Sequence, residues 1–286
     1  MFSKSAWLHL RIPFSYYLMP VYLFALAVSD NVNTSDAIIV FIALHIFLYP
    51  ASNGYNSYFD KDEDSIGGLK NPPKVNKGLY YLALIFDLIA LVLVAFNFWT
   101  LVMFFVYGLV SKAYSHPIIR IKKYPFASWF IAGVFQGFFT FLMVYLGVNG
   151  IAPEELLKKE VLFPAILTSV MLWGSYPMTQ IYQHKEDRSR GDNTLSLKLG
   201  ILGTFHFTMT LFSLTTLLFG LYFIEYYNLN IAFLYVLSMS PVVGYFFYWY
   251  FKARKNMEVV NFENTMRLNA ISATCLNLFF VILFLY

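Results

Sequence analysis

The feature that most constrains this sequence is a series of long apolar runs, each separated from the next by a short polar or charged stretch. Runs of about 17–25 residues are what a helix needs to cross the hydrocarbon core of a bilayer. Of the 286 residues, 59% are hydrophobic and 13% are charged, which is more apolar surface than a soluble domain can bury. We therefore predict an all-α polytopic membrane protein, because the strands of a barrel would alternate apolar and polar residues.

Nine runs are long and apolar enough to be candidate membrane spans. They cover residues 11–29, 36–57, 78–97, 99–115, 125–148, 162–183, 200–225, 230–251 and 266–286. Pro13 favours a retained first helix over a cleaved signal peptide. We expect a single integral-membrane domain over residues 1–286. Spans two and six both end in acidic segments, which suggests two related halves of about 1–124 and 125–286.

The positions of the basic residues predict the orientation of the spans. Lysine and arginine concentrate before the first span and in the loops after spans two, four, six and eight. The opposite side carries only Lys158 and Lys159 of the 20 basic residues. Basic loops remain in the cytoplasm, so the N-terminus is predicted to be cytoplasmic and the C-terminus to lie outside. The protein itself is expected in the inner or plasma membrane of the cell. The one cysteine, Cys275, permits neither an internal disulfide nor a thiol metal site.

An acidic segment, NSYFDKDEDSIGG, follows the second span at residues 56–68. Asn56, Asp60 and Asp64 are spaced four apart, so a continued helix would present them on one face. Asp62 and Glu63 are expected to be solvated. Carboxylate and amide oxygens are hard ligands that suit Mg²⁺, which takes one or two carboxylates and completes its shell with phosphate oxygens and water. A solvated loop of mixed charge is the competing interpretation of this segment alone.

A second acidic segment follows the sixth span. Gln183 and Asp187 repeat the four-residue spacing, Thr179 corresponds to Asn56, and Glu186 lies beside them. Both segments are predicted at the same depth on the same side of the membrane. Together they are able to hold two or three Mg²⁺ ions around one diphosphate.

The chain resembles the UbiA superfamily of intramembrane prenyltransferases over nearly its whole length. The Asn-x₃-Asp-x₃-Asp spacing after span two and the acidic motif after span six carry most of the resemblance. Further similar segments are Asp187–Gly200, Lys70–Gly78, Ala113–Lys123, and the Arg11 and Pro13 pair. There are two departures: Pro73 stands where the family has Arg, and Gln183 stands where it has Asp.

The resemblance implies nine helices in a bundle around a central cavity, with Mg²⁺ bridging the two acidic motifs and a prenyl diphosphate. By the same resemblance the catalytic residues are Asn56, Asp60, Asp64 and Asp187. The implied metal ligands are Asn56, Asp60, Asp64, Gln183, Glu186 and Asp187. The implied diphosphate-binding residues are Arg11, Lys112, Tyr114, Arg120 and Lys122. The implied partners are a prenyl diphosphate, a lipophilic acceptor and the bilayer, with no nucleic acid.

Several alternatives remain open at the level of sequence. The acceptor is an aromatic quinone or pigment precursor, a lipid alcohol or a tetrapyrrole, and a terpene cyclase would ionise the diphosphate without any acceptor. A transporter is disfavoured, because transporter ion sites lie near the midplane whereas both acidic motifs lie at the membrane edge. Asp87 lies within a span, where a carboxylate contacts either the acceptor or a neighbouring helix. The sequence leaves the oligomeric state open.

Overall fold

A computed structural model describes residues 2–286, and within them it contains helices and no β-strand. We number the main helices along the chain, joining segments that continue one another. They are α1 (Lys4–Ala27), α2 (Thr34–Asp60), α3 (Lys77–Leu93), α4 (Phe98–Ser115), α5 (Pro125–Asn149), α6 (Lys159–Gln180), α7 (His184–Arg190), α8 (Leu195–Tyr226), α9 (Leu229–Ala253) and α10 (Phe262–Leu285). This architecture confirms the predicted all-α fold class.

Eight of the helices within residues 2–286 are long and apolar enough to cross a membrane, which confirms the prediction of a polytopic membrane protein. The third predicted span corresponds to α3, which is apolar but has 17 residues. At a rise of 1.5 Å per residue, this length is at the lower limit for crossing the hydrocarbon core. The count of nine spans therefore stays a prediction.

The loops of the bundle gather at two ends that differ in charge. At one end, which we call the charged end, the His9 ring contacts the Pro73 carbonyl at 2.7 Å and Lys70 pairs with Glu263. At the opposite end, the backbone N–H of Asn33 donates to the Val148 carbonyl at 2.9 Å. The loops that carry most of the basic residues thus converge at one end, as their distribution along the sequence predicts.

Helices α2 and α5 each contain one wider π-helical turn, at Ala43–Leu48 and Val134–Phe139 respectively. In α2 this turn is followed by Pro50, which lacks the N–H needed for a regular helical hydrogen bond. Wider turns of this kind are frequent at functional sites. Both helices contribute residues to the cavity described below.

The π-helical turn of α5 has its cause in a neighbouring helix. Ser169 of α6 accepts a hydrogen bond from the Phe138 N–H at 3.0 Å and donates one to the Gly133 carbonyl at 2.9 Å. This hydroxyl therefore inserts into the hydrogen-bond ladder of α5. Gly137 permits the approach, because a Cβ atom there would lie 2.7 Å from the Ser169 backbone nitrogen.

The densest part of the core is a cluster of aromatic rings toward the opposite end. Phe24 of α1 stacks on Phe280 of α10 with ring centroids 4.7 Å apart, and Phe219 and Phe223 of α8 pack against them. These rings are fully buried or nearly so. Packing there joins α1, α8 and α10 tightly, whereas the helices enclose open space toward the charged end.

Candidate functional site

A cavity of about 250 Å³ lies at the charged end of the bundle, between α1, α2, α4, α5, α6 and α7. Its charged and amide-bearing lining residues are Arg11, Asn53, Asn56, Asp60, Asp62, Lys122, Gln136, Gln180, Gln183, Asp187, Arg190 and Asp192. Most of the remaining lining side chains are hydroxyl-bearing, aromatic or aliphatic. The two acidic segments, which are far apart in sequence, thus meet at one cavity.

Asp60 is the last residue of α2 and is 9% exposed. Its Oδ1 lies 2.5 Å from Lys122 Nζ and 3.7 Å from Arg120 Nη1. Asn56 lies one turn earlier, and its Oδ1 accepts a hydrogen bond from Ser115 Oγ at 2.6 Å. The structure therefore brings Asp60, at the end of α2, against two cations from the loop after α4, and places Asn56 one turn earlier against α4.

Asp192 completes this cluster and is not among the residues predicted from the sequence. The carboxylate is 4% exposed and accepts hydrogen bonds from Arg120 Nε at 3.0 Å and Nη2 at 2.9 Å. Lys122 Nζ lies 3.2 Å from the same carboxylate. Asp192 raises the pKa of Arg120, because the guanidinium donates to it. The sequence signal that could have identified Asp192 is the preceding Gly191. With a φ of 73° this glycine ends α7 and turns Asp192 back toward the cavity.

Asp187 also lines the cavity, from the first turn of α7. Thr194 Oγ1 donates to its Oδ2 at 3.1 Å. Burial raises the pKa of Asp187 to about 7, while the Thr194 hydrogen bond and the charge of Lys122 oppose that rise. A carboxyl with such a pKa changes its charge near neutral pH, which matters for any cation that it binds.

Tyr114 and Arg11 line the cavity as the resemblance implied. The Tyr114 hydroxyl shares a hydrogen bond with the hydroxyl of Tyr176 from α6. Arg11 donates from Nη1 to the Gly67 carbonyl at 3.0 Å and from Nη2 to the Asn53 carbonyl at 3.3 Å. Both of its hydrogen-bond partners are neutral backbone carbonyls, so its positive charge stays available to an anion in the cavity.

The prediction that Asp64 shares a helical face with Asp60 was wrong. Helix α2 ends at Asp60, because Lys61 adopts a left-handed conformation with φ of 52°. Asp64 consequently lies in the following loop with an exposed side chain. The expectation that Asp62 is solvated was also wrong, since it lines the cavity and forms an ion pair with Arg190.

The second acidic segment is also not one continuous helix. Helix α6 ends at Gln180, and α7 begins at His184, so Gln183 lies in the link between them. Gln183 still lines the cavity, and its Nε2 donates to the Ser65 carbonyl at 3.3 Å. Glu186 does not line the cavity; its carboxylate instead accepts the backbone N–H of Glu63 at 3.0 Å.

Lys112 lies outside the cavity lining, contrary to its predicted role in diphosphate binding. Its ammonium group pairs with Asp87 of α3, donates to the Gly108 carbonyl at 3.3 Å and lies over the Tyr55 ring. The Asp87 carboxylate therefore contacts a neighbouring helix, which is the structural alternative considered for it.

A second cavity of about 210 Å³ adjoins the first, between α1, α6 and α10. None of its lining residues is charged. The residues that line both cavities are Phe14, Ser52, Asn53, Tyr107, Gln136, Tyr176 and Thr179. One end of the combined space is therefore rich in charge and the other is apolar, which suits a ligand with an ionic head and a hydrocarbon tail.

The donor set of the charged end suits a hard divalent cation. Within residues 2–286, no three His, Cys, Asp or Glu side chains lie close enough together to hold a metal ion by themselves. Mg²⁺ does not require such a cage, because it binds through one or two carboxylates and takes the remaining oxygens from phosphate and water. The carboxylates of Asp60 and Asp187 with the amide of Asn56 fit a cation shared with a phosphorylated ligand.

Comparisons with known proteins agree with this architecture. Residues 17–271 match the UbiA prenyltransferase family. No curated protein matches the chain. A UbiA homologue from Archaeoglobus fulgidus bound to GPP and Mg²⁺ is similar in structure, with a TM-score of 0.67, 14% identity, and coverage of 99% of this chain and 100% of that chain.

Two further structures show the same fold. A UbiA homologue from Archaeoglobus fulgidus bound to DMAPP and Mg²⁺ gives a TM-score of 0.68 at 14% identity, with 99% of each chain covered. A digeranylgeranylglyceryl phosphate synthase gives a TM-score of 0.60 at 21% identity, covering 98% of this chain and 97% of that chain. The family match spans most of the sequence and the structural match spans nearly all of it, so the chain belongs to the UbiA prenyltransferase family.

Proposed function

We propose that this protein transfers a prenyl group from a prenyl diphosphate to a lipophilic acceptor, with Mg²⁺ as its cofactor. The observation that carries the proposal is the continuity of the two cavities. Carboxylates from both acidic segments and several cations line the charged cavity, which shares a wall with an uncharged one. A prenyl diphosphate matches this arrangement, because its charged diphosphate head fits the charged cavity and its apolar isoprenoid tail fits the uncharged one.

The charged residues have distinct roles in this proposal. Asn56, Asp60 and Asp187 hold Mg²⁺, which when bound neutralises charge on the diphosphate and stabilises it as a leaving group. Lys122 and Arg11, which line the cavity, supply further positive charge for the phosphate oxygens. Arg120 does not line the cavity itself and adds its charge from beside it, where it pairs with Asp60 and Asp192. Because Arg120 and Lys122 are already oriented by Asp192, little reorganisation is required when the diphosphate binds.

The reaction breaks the bond between C1 of the prenyl chain and the diphosphate oxygen, and the bonding electrons leave with the diphosphate. The resulting allyl cation is attacked by the acceptor, through an oxygen of an alcohol or a carbon of an aromatic ring. The acceptor then loses one proton to the diphosphate or to water. The aromatic rings of Tyr107 and Phe135 line the charged cavity and are suited to stabilise the cation.

The charge distribution supports a cytoplasmic active site. The cavity lies at the charged end, and basic loops favour the cytoplasmic side of a membrane. Structurally similar proteins add support at the level of substrate class, since two UbiA homologues are described with GPP or DMAPP and Mg²⁺. A water-soluble diphosphate head would therefore enter from the cytoplasm, and the tail would extend into the bilayer region.

The test is a turnover assay with the purified protein in Mg²⁺. Radiolabelled geranyl, farnesyl and geranylgeranyl diphosphates are incubated with a lipid extract of the source membrane, and both the released diphosphate and the mass of the product are measured. We expect Mg²⁺-dependent release that Asp60→Asn abolishes, and a product whose mass equals prenyl plus acceptor minus one proton. A hydrocarbon product formed without the extract would instead identify a cyclase.

A matched control is Glu258→Gln, which removes one negative charge at the same end of the bundle from an exposed side chain outside the cavity. This variant should keep the activity of the unmodified protein. The proposal is refuted if the protein neither turns over any of the three diphosphates nor binds inorganic pyrophosphate in the presence of Mg²⁺.

A further inference from the structure

Part of the loop of residues 61–69 lines the charged cavity. Ile66 is 3% exposed and lines the cavity together with Gly67. Three partners from other parts of the chain hold the loop: Gln183 donates to the Ser65 carbonyl, Arg11 to the Gly67 carbonyl, and the Gly68 N–H approaches the Met266 sulfur at 3.4 Å. These contacts hold the loop as part of the cavity wall.

The acids of this loop occupy different environments. Asp62 lines the cavity, and its side chain is 11% exposed and paired with Arg190. Glu63 and Asp64 are exposed and do not line the cavity. Of the three acids that follow α2 in this loop, only Asp62 faces the space that would hold a diphosphate.

The contacts of Glu186 explain the register of the loop, by which we mean which of its acids faces the cavity. Its Oε1 accepts the backbone N–H of Glu63 at 3.0 Å, lies 3.5 Å from that of Asp64, and is 2.5 Å from Arg190 Nη2. The other terminal nitrogen of Arg190 pairs with Asp62. One buried carboxylate thus holds two consecutive loop amides and also orients the arginine that holds Asp62.

We propose that Asp62, and not Asp64, is the second carboxylate that the first acidic segment supplies to the diphosphate site, and that Glu186 is the positioning residue that sets this register. The inference rests on the proposed function, because it assigns residues to the same site. Arg190 neutralises Asp62 in this structure, in the way that Lys122 neutralises Asp60. Both carboxylates therefore have a cationic partner and line the cavity.

The alternative register is disfavoured by hydrogen bonding. For Asp64 to join the face of Asp60, α2 would have to continue for another turn through Lys61. Helical hydrogen bonds would then take the amides of Glu63 and Asp64 away from Glu186. The buried Glu186 carboxylate would then lose both amide donors and keep only Arg190, which disfavours the continued helix.

The test compares three single charge removals within three consecutive residues, using inorganic pyrophosphate with Mg²⁺ as the probe and calorimetry as the readout. We expect Asp62→Asn to weaken pyrophosphate binding by at least about tenfold, since a charged ligand group is lost. Glu63→Gln, an exposed neighbour, is the control and should bind as the unmodified protein does. If Asp64→Asn weakens binding as much as Asp62→Asn, or more, the assignment of Asp62 is overturned.

The role of Glu186 is tested without any ligand, by hydrogen exchange of the loop amides. We expect Glu186→Ala to accelerate exchange at Glu63 and Asp64 by at least about tenfold, because each amide loses its acceptor. Glu186→Gln keeps an acceptor oxygen and should restore part of the protection, which a general loss of folding would not do. Unchanged exchange in Glu186→Ala overturns the positioning role.

The outcomes separate this inference from the proposed function. If the unmodified protein binds no pyrophosphate in Mg²⁺, the proposed function fails and the inference fails with it. If the unmodified protein binds pyrophosphate and Asp62→Asn also binds it fully, only the inference fails.

Discussion

The Asp187 carboxylate illustrates how burial changes the chemistry of a single residue. It lies in the first turn of a short helix, beside Thr194 and near Lys122, and burial raises its pKa to about 7. An exposed aspartate would be ionised throughout the physiological range. In this protein the same group gains or loses a proton within that range, so its capacity to bind a cation depends on pH.

We predict that Mg²⁺-dependent pyrophosphate binding weakens as the pH falls from 8 to 6. The protonated form of Asp187 cannot ligate a cation, so affinity should fall about tenfold per pH unit below the pKa for each proton displaced. Calorimetry at several pH values measures the effect. Asp187→Asn should bind more weakly and show a smaller pH dependence, because only the protonation of pyrophosphate remains. An equal pH dependence in both proteins would contradict the prediction.

In the absence of Mg²⁺, the raised pKa of Asp187 makes the folded protein more stable at low pH, whereas it makes cation binding weaker there. Because the folded-state pKa of Asp187 lies above the ordinary value of 3.8, the folded protein binds more protons between about pH 4 and 7. The contribution of this group to stability is therefore complete below about pH 4 and is lost progressively as the pH rises to about 7. Binding a cation would compensate for that loss, since it favours the ionised form.

Lys112 is a second residue whose role depends on its partner. We predict that Lys112→Met destabilises the protein by about 3 kcal/mol, because Asp87 would be left as an unpaired charge between helices. Combining it with Asp87→Leu should restore most of the stability, since the double variant has no unpaired charge. Thermal unfolding in detergent measures both effects.

The double variant also tests function. It should bind pyrophosphate as the unmodified protein does, because neither residue lines the charged cavity. Loss of pyrophosphate binding in a folded double variant would show that Lys112 contributes to the diphosphate site after all.

At the scale of helices, the contact between α5 and α6 shapes the floor of the cavity. Ser169 bridges the wider turn of α5, and Gly137 allows the two backbones to approach closely. Phe135 and Gln136 belong to that same turn and line the cavity. The helix irregularity is therefore linked to the placement of two cavity residues.

We predict that Gly137→Ala destabilises the protein by about 1–3 kcal/mol, because the added methyl group would overlap the backbone of α6. A Cβ at this position would lie 2.8 Å from Ser169 Cα. Gly220→Ala is the control, since no atom lies within 4 Å of a Cβ built at Gly220 in α8. Thermal unfolding of both variants measures the difference. Equal melting temperatures would show that α5 and α6 separate at little cost.

At the scale of the whole molecule, the arrangement of charged loops leads to a topology that can be tested directly. We predict that nine spans place the charged end in the cytoplasm. In a Cys275→Ser background, single cysteines at Glu154 and Ala95 should react with an impermeant maleimide in intact cells. A cysteine at Lys255 should react only after lysis, because it lies at the charged end.

Each outcome of the labelling experiment has a distinct meaning. Ala95 follows α3, so protection of a cysteine there in intact cells, together with labelling at Glu154, would show that this helix does not cross the membrane. Labelling at Lys255 with protection at Glu154 would show the reverse orientation. The single domain over residues 1–286 and its two related halves stay predictions, which the labelling pattern constrains through the number of crossings.

The sequence by itself determined the all-α membrane fold, the region of the candidate site and some of the residues that line its cavity. These properties follow from local patterns, because a bilayer requires each span to satisfy its own backbone hydrogen bonds and to present apolar side chains. The acidic segments were recognisable since charge at the end of an apolar run is rare. Asn56, Asp60 and Asp187 could therefore be selected without coordinates.

The tertiary structure alone decided which acids face the cavity. Helical spacing predicted Asp64, but α2 ends at Asp60 and the following loop is held by Glu186, more than one hundred residues away in sequence. Asp192 lines the cavity and accepts a hydrogen bond from Arg120, whereas Lys112 pairs with Asp87 outside the cavity. The register of a loop depends on which distant groups accept its amides, and spacing along the chain contains no information about those partners.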